Sequence, residues 1–521
     1  MCASVRAQIT NNMTTFQDLG LNPMLLQALA ELGFETPTPI QDKTIPHLAN
    51  SKKDLIALAQ TGTGKTAAFA LPVIQQLNTS HSHVQSLILC PTRELALQIT
   101  NDINNYIKYL KGVKVTAVYG GERVDKQIRA LKNKPQIVVG TPGRVNDLIK
   151  RRILKVESIQ WLVLDEADEM LNMGFKEELN QILKNTPEDK QTLLFSATMN
   201  DPVRRIANNY MNKPEEITVG NKNRGADNVQ HFFYVVQEKD RYQALRRIAD
   251  MNPGIHGIVF CRTRRETQQV ADKLVKDRYS AEAIHGEISQ EQRTQVMNRF
   301  RDNKTQLLVA TDVAARGIDV NGLTHIINYT PPESGEGYVH RSGRTGRANN
   351  SGLSILLINM REQYKIRILE NKIGKKFEKG KVPSGEDICE KQLFQLVDKV
   401  KNTEVNEDRI GKYLELIGKK FEDMSREEVI KKFISAEFNR FLEHYKNADN
   451  LNASGKDTSG GGRGRDNRGG GSYGGNRGGG GGYSGNRRKG GGHSRNRRPS
   501  GPSNHGSNRS GGENRGSRKR F

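Results

Sequence analysis

Ala59-Gln60-Thr61-Gly62-Thr63-Gly64-Lys65-Thr66 decides the fold, because it joins the apolar run Asp54-Leu55-Ile56-Ala57-Leu58 to a stretch with helical spacing. The run reads as a buried strand. The glycines after it let backbone N–H groups turn inward around phosphate oxygens at a helix N-terminus. Lys65 is then set to reach the β- and γ-phosphates of a nucleoside triphosphate, and the Thr66 hydroxyl to hold Mg²⁺. Further along, Ile159-Gln160-Trp161-Leu162-Val163-Leu164 delivers Asp165-Glu166-Ala167-Asp168 from a second strand end. Two adjacent carboxylates there divide the labour: Asp165 serves the metal, and Glu166 orients and deprotonates a water.

Short apolar runs alternate with helical patterns from Leu55 to Val219: residues 87–90, 115–119, 137–139, the Trp161 run and 192–195. Such alternation predicts a parallel sheet with helices on both faces. The pattern restarts after a polar stretch, with strands expected at 258–261, 306–309, 325–328 and 353–357. No second phosphate loop accompanies it. Two tandem α/β domains, one with a nucleotide loop and one without, predict a composite site across a cleft. His340-Arg341-Ser342-Gly343-Arg344-Thr345-Gly346-Arg347 supplies what the first half lacks: Arg344 and Arg347 are placed to face a γ-phosphate held by the other domain.

The chain has 521 residues, enough for about three domains, and a formal net charge of +23. Residues 454–521 carry 24 of the 51 glycines, with 13 arginines and 3 lysines against 3 acids. A segment so poor in aliphatics cannot offset its ordering entropy, so a disordered Arg/Gly tail is expected. The basic body suits a polyanionic partner. Cys2, Cys90, Cys261 and Cys389 are scattered, with no C-x-x-C spacing, which argues for a reducing compartment without zinc or disulfides. With no apolar run of membrane-spanning length and no signal-peptide pattern, a cytoplasmic protein without a membrane partner is expected. Residues 1–12 read as a leader, and Met13 is an alternative start.

At this point the motifs, taken in order from Phe16 to Ile373, resemble those of the DEAD-box RNA-dependent ATPases and helicases. Gly33-Phe34-Glu35-Thr36-Pro37-Thr38-Pro39-Ile40-Gln41 is similar to that family's Q motif, with Thr36 where the family often has a charge. The resemblance implies two RecA-like domains that close over ATP, Mg²⁺ and an RNA strand. It implies an ATP-binding set of Phe16, Gln41, residues 59–66 and Asp319. Gln41 would read the adenine edge, Phe16 would stack on the ring, and Asp319 would meet the ribose. Pro91-Thr92-Arg93-Glu94, Gly120-Gly121 and Thr141-Pro142-Gly143-Arg144 resemble RNA-contacting motifs. So do the segments around Arg262, Arg293, Thr311 and Gly317 in the second half. Asp168, Ser196, Thr198 and His340 match residues that couple hydrolysis to strand separation. RNA contacts of this kind meet phosphate and sugar, so binding should be largely sequence-independent. Local unwinding of short duplexes and ATP-gated clamping both use these motifs, and the sequence leaves both open.

From Glu386 to Tyr445 three helical stripes recur, among them Ile410, Leu414 and Ile417. About sixty residues make a marginal core, so the stripes pack on the second domain or pair with another copy in a homodimer. Their position resembles the dimerisation segment of bacterial cold-shock and ribosome-assembly DEAD-box proteins, which implies ribosome-assembly or RNA-degradation partners. The expected organisation is therefore a leader at 1–12, RecA-like domains at 13–219 and 229–375 joined by a linker at 220–228, a helical extension at 376–450, and an RNA-tethering tail at 451–521.

Overall fold

The computed structural model describes residues 14–60, 62–219, 228–318, 320, 322–346, 351–445 and 448–453. The leader, most of the linker, most of the tail, and Thr61, Asp319 and Arg347 lie outside the described residues.

The first domain is built on β1 (Leu55–Leu58), β2 (Ser86–Leu89), β3 (Val115–Val118), β4 (Ile137–Gly140), β5 (Trp161–Leu164), β6 (Gln191–Ser196) and β7 (Glu215–Thr218). They form one sheet in the order β3-β4-β2-β5-β6-β1-β7, every pairing parallel. β1, β2, β4, β5 and β6 are buried throughout, as continuous apolar strands in a sheet covered on both faces should be. Successive side chains alternate between faces: Leu55 and Ala57 enter one core cluster, Ile56 and Leu58 the other. Trp161, 7% exposed, belongs to the core, as a lone buried tryptophan usually does.

The second domain uses β8 (Val229–Val235), β9 (Gly257–Cys261), β10 (Ala281–Ile284), β11 (Leu307–Thr311), β12 (His325–Asn328), β13 (Gly352–Ile358) and β14 (Glu378–Lys379). Its order is β10-β11-β9-β12-β13-β8-β14, again all parallel. Both sheets place the loops that follow their central strands along one edge, where open α/β sheets bind ligands.

Three further helices span Gly385–Lys401, Glu407–Lys420 and Arg426–Tyr445. The first and third dock on the second domain. Arg247 donates to the carbonyls of Pro383 (3.2 Å) and Asp449 (2.7 Å), and Tyr279 and Tyr445 both donate to the Asp250 carboxylate. The middle helix buries no residue at all. Leu451 sits in the second domain's core, and the Ala453 N–H donates to the Val235 carbonyl at 3.0 Å. Residues 451–453, expected to begin the tail, are thus part of the second domain's packing: Leu451 finds an apolar seat and Asn452 pairs with the Val382 backbone.

Candidate active site and RNA face

The phosphate loop leaves β1 with the Ala59 N–H held by the Ser196 carbonyl at 3.1 Å, and closes at the helix Lys65–Gln76. Gly62 (φ 79°) and Gly64 (φ 86°) both occupy the left-handed region, which costs other residues about 1–2 kcal/mol. A Cβ on Gly64 would lie 2.3 Å from Gln41 Nε2, so any side chain there would push the Gln41 amide aside. Gln41 is buried; its Nε2 donates to the Gly64 carbonyl (3.1 Å) and its Oε1 accepts from the Thr38 N–H (2.9 Å). An amide offers two N–H groups and two lone pairs, so one of each remains for a base edge. Thr63 Oγ1 donates to the Gln60 carbonyl at 2.8 Å, and Lys65 Nζ to the Ala59 carbonyl at 3.2 Å.

Facing the loop, β5 ends in Asp165 and in Glu166, itself strained at φ 50° as the residue before the helix Ala167–Asn172. Burial pushes the Asp165 carboxyl up to about 7, with Lys65 pulling it down and the Glu166 charge adding to the rise. The Glu166 Oε2 atom is buried without a hydrogen-bond partner. A desolvated Asp165 carboxylate next to the Thr66 hydroxyl fits Mg²⁺, an ion that takes one or two carboxylates and completes its shell with water and phosphate.

The two domains meet over this edge. Gly62, Gly64, Lys65, Thr66, Asp165 and Glu166 line one cavity of about 390 Å³ with Gly317 and Arg344 of the second domain. Arg344 is held by a hydrogen bond from Nη1 to the Ile318 carbonyl, 3.1 Å. Gly317 (φ 69°) passes so close that a Cβ would lie 2.2 Å from Thr92 Oγ1. Arg293 Nε reaches Glu94 Oε1 at 2.6 Å and its Nη2 donates to the Ala314 carbonyl at 2.7 Å, so this guanidinium, expected at RNA, joins the two domains in this structure. Asp168 accepts from the Thr198 N–H (3.0 Å) and Oγ1 (2.8 Å), Ser196 Oγ donates to the Thr198 carbonyl (2.8 Å), and His340 Nε2 lies 3.8 Å from Asp168.

Phe16 is a correction. Its ring is 4% exposed, in the core, with its centroid 6.0 Å from that of Phe34. Phe34 and Tyr106 line the cavity. Phe16 therefore supports the aromatic wall from behind. Phe34 stands beside Gly33 in the motif already read, so the sequence did carry its signal. Glu169 has no sequence signal of its own, and Arg316 stands in the segment around Thr311 and Gly317 without a role assigned to it; the structure pairs Glu169 with both His340 and Arg316.

The remaining RNA candidates cluster at strand ends. Thr92 caps the helix Arg93–Tyr106 through the Leu95 N–H, Arg93 lies over the Tyr119 ring at 4.8 Å, and Thr141 precedes the helix Pro142–Lys150. A Cβ on Gly143 would meet open space, whereas Gly121 (φ 79°) faces Gln290 of the second domain. Arg144 is fixed by Gln127 Oε1 (2.9 Å) and the Glu122 carbonyl (3.2 Å). Thr311 caps the helix Asp312–Ala315, and with Arg262 it lines a second interdomain cavity of about 520 Å³. Among the described residues no group of three His, Cys, Asp or Glu side chains forms a metal cluster, and no helix is long and apolar enough to cross a membrane.

Residues 38–206 match the family model of the DEAD/DEAH box helicase, 240–349 that of the helicase conserved C-terminal domain, and 388–446 the helical domain of a probable ATP-dependent RNA helicase. The chain is 45% identical over 390 residues to the DEAD-box ATP-dependent RNA helicase CshA of Geobacillus kaustophilus, covering 75% of this chain and 83% of that protein. It is 42% identical over 409 residues to CshA of Bacillus subtilis, covering 78% and 82%. Among solved structures it is similar to S. cerevisiae Dbp5 bound to RNA and ADP BeF3, with a TM-score of 0.67, 28% identity, and 74% of this chain and 99% of that one covered. Mss116p bound to ssRNA and AMP-PNP gives a TM-score of 0.65 at 31% identity, covering 80% and 88%.

Proposed function

This chain belongs to the DEAD-box ATP-dependent RNA helicases, coupling ATP hydrolysis to work on RNA, and we propose that it does so through one site assembled from both domains. The observation that carries the reading is the shared cavity: Lys65, Asp165 and Glu166 from one domain face Arg344 from the other. Backbone N–H groups at Gly62–Thr66 and the Lys65 ammonium bind the phosphates, a role that Ala59, Gln60 and Thr63 support by holding the loop in shape. Asp165 and Thr66 would hold Mg²⁺, which neutralises phosphate charge. Glu166 takes the proton of the attacking water, its Oε2 having no other partner. Arg344 stabilises the charge that develops on the transferred phosphoryl group, so hydrolysis requires closure.

Gln41 reads the adenine, with Phe34 and Tyr106 as the aromatic wall. Asp168, Ser196, Thr198 and His340 transmit closure. RNA is held by Thr92, Arg93, Gly121, Thr141, Gly143 and Arg144 on one side and by Arg262, Thr311 and Gly317 on the other, through phosphate and sugar. Arg293 secures the path by joining the domains. Mss116p is solved with single-stranded RNA and Dbp5 with RNA, which supports such a path here.

The helix Glu407–Lys420 and its C-cap Phe421 expose Ile410, Tyr413, Leu414, Leu416, Ile417 and the Phe421 ring. We assign this face to a second copy of the chain, acting in a cytoplasmic setting of ribosome assembly or RNA turnover, with the Arg/Gly tail as an RNA tether. Strand displacement tests the central reading: a short RNA duplex should separate with ATP and Mg²⁺. Separation that proceeds equally without nucleotide would overturn it.

A further inference from the structure

Glu169 stands in the first turn of the helix Ala167–Asn172, immediately after Asp168, and is 4% exposed. Its two oxygens face two cations of the other domain. Oε1 meets Nδ1 of His340, in the helix Gly335–Ser342, and Oε2 forms an ion pair, without hydrogen-bond geometry, with Nε of Arg316, just beyond the helix Asp312–Ala315. It does not line the cavity that holds Lys65 and Glu166; it lines the neighbouring one with Arg262, Thr311 and Arg316. The helix N-terminus favours an acid in this turn, but the counter-ions of the buried carboxylate come from the second domain. The Glu169 N–H donates to Asp168 Oδ1 (3.1 Å), which only tightens the turn.

We propose that Glu169 is a positioning residue for domain closure, a single carboxylate of the first domain that latches Arg316 and His340 of the second and thereby sets the affinity for RNA in the nucleotide-bound state. The inference rests on the two-domain reading above. A ligand shifts an equilibrium between open and closed forms only through contacts that differ between them. These ion pairs meet that condition, since each joins residues on opposite sides of the cleft. A buried carboxylate without its cations is strongly disfavoured, so the pair discriminates against every partly closed arrangement that buries Glu169 before Arg316 arrives.

The electrostatics agree. Burial works against the ionised Glu169, yet His340 and Arg316 hold its carboxyl below the usual range. Burial likewise works against charge on His340, while Glu169, then Asp168 and Glu166, raise it above the ordinary imidazole value. The latch also has a route to the chemistry. His340 lies between Glu169 and Asp168, and Asp168 grips Thr198 on the loop that leaves β6 beside the phosphate loop.

A double-mutant cycle on the full chain tests this with Glu169→Gln, Arg316→Gln and the pair. The readouts are ATP affinity without RNA, the Kd for a fluorescent single-stranded oligouridylate with AMP-PNP, and hydrolysis against RNA concentration. Each single variant should bind ATP as the parent does, which also shows that the first domain is folded. Each should weaken AMP-PNP-dependent RNA binding by about 3- to 100-fold, the range of coupling energies between contacting residues. The RNA concentration for half-maximal hydrolysis should rise by a similar factor, with a smaller change at saturating RNA. The double variant should be no weaker than the worse single. Singles within twofold of the parent, or a double equal to the product of the singles, would overturn the latch. A parent chain whose RNA binding ignores AMP-PNP would overturn the two-domain reading itself, and the latch with it.

Discussion

β1 and β8 hold the same place in their sheets, each sixth in an order that runs from β3 to β7 in the first domain and from β10 to β14 in the second. After β1 the chain turns through Gly62 and Gly64, both at positive φ, and a helix begins at Lys65. After β8 it runs through Val236-Gln237 into the short 3₁₀ turn Glu238–Asp240, with no glycine to bring backbone N–H groups around an anion. The same contrast recurs one position at a time. β5 and β12 are both fourth in order, but β5 delivers Asp165 and Glu166, whereas β12 delivers Tyr329-Thr330-Pro331-Pro332. One scaffold therefore carries phosphate chemistry or lacks it according to a few residues at strand ends. What the second domain gives is charge delivered on closure: Arg316 and His340 pair with Glu169 of the first domain, and Arg344 lines the cavity that holds Lys65 and Glu166.

The sharpest way to break this division is at Glu166, since among the described residues the second domain brings no carboxylate into the cavity. Glu166→Gln should lower RNA-stimulated hydrolysis by about 10² to 10⁴ while ATP and RNA binding persist, as loss of a general base does. Steady-state turnover measures it, and an active Gln variant would return the base to some other group.

Arg344→Ala asks whether the second domain contributes to chemistry or only to binding. Removing one donor from a developing charge costs about 10² to 10³ in turnover. ATP affinity without RNA should stay near the parent value, because the loop at Gly62–Thr66 belongs wholly to the first domain. A variant that loses ATP affinity and turnover by the same factor would make Arg344 a ground-state contact.

Much of this division was legible in the chain. The strands with continuous apolar runs, β2, β5, β6 and β9 among them, stand out because both their faces are buried. β7, β10 and β14 do not: β7 and β14 are largely exposed, and β10 has Glu282 and Ala283 half-buried. Their sequence carries no clean period, and their pairing comes from the neighbour strand. β8 is rich in aromatics but follows directly on the polar linker, which hid its start. At the site, Lys65, Asp165 and Glu166 were readable because loop and strand end are local features. Phe16 was misplaced because sequence order cannot tell which of two packed rings faces a cavity. Glu169 and Arg316 were invisible for a related reason, as a pair 147 positions apart has no local signature.

A smaller effect is expected at the adenine end. Gln41→Ala removes one neutral amide from the cavity and a hydrogen bond from Gly64, which together should weaken ATP binding by about 3- to 10-fold. Discrimination against GTP should shrink with it. Unchanged discrimination, measured by competition, would pass the recognition to Phe34 and Tyr106.

The smallest expected effect reads the interdomain charge directly, through pH. His340 is raised above its ordinary value near 6.5, with burial opposing and Glu169, Asp168 and Glu166 outweighing it; Arg316 and Arg344 are the cations nearby. A group whose value is raised by a partner stabilises the state that holds that partner below its ordinary pKa, and that stabilisation is lost as pH rises through the raised one. RNA binding with AMP-PNP should therefore be tightest below the ordinary imidazole value as far as His340 is concerned, and should weaken as pH rises through the raised one. Asp165 complicates the raw profile, because its carboxyl is pushed up to about 7 and protonation there opposes metal binding as pH falls. The comparison that isolates His340 is between the parent and Glu169→Gln, since both retain Asp165 and its surroundings. With the main cause of the rise removed, the difference between the two Kd curves should be largest on the acid side and narrow towards alkaline pH to the part that the Glu169–Arg316 pair carries. Parallel curves across the whole range would show that His340 is neutral in the closed state and that Arg316 alone carries the charge across the cleft.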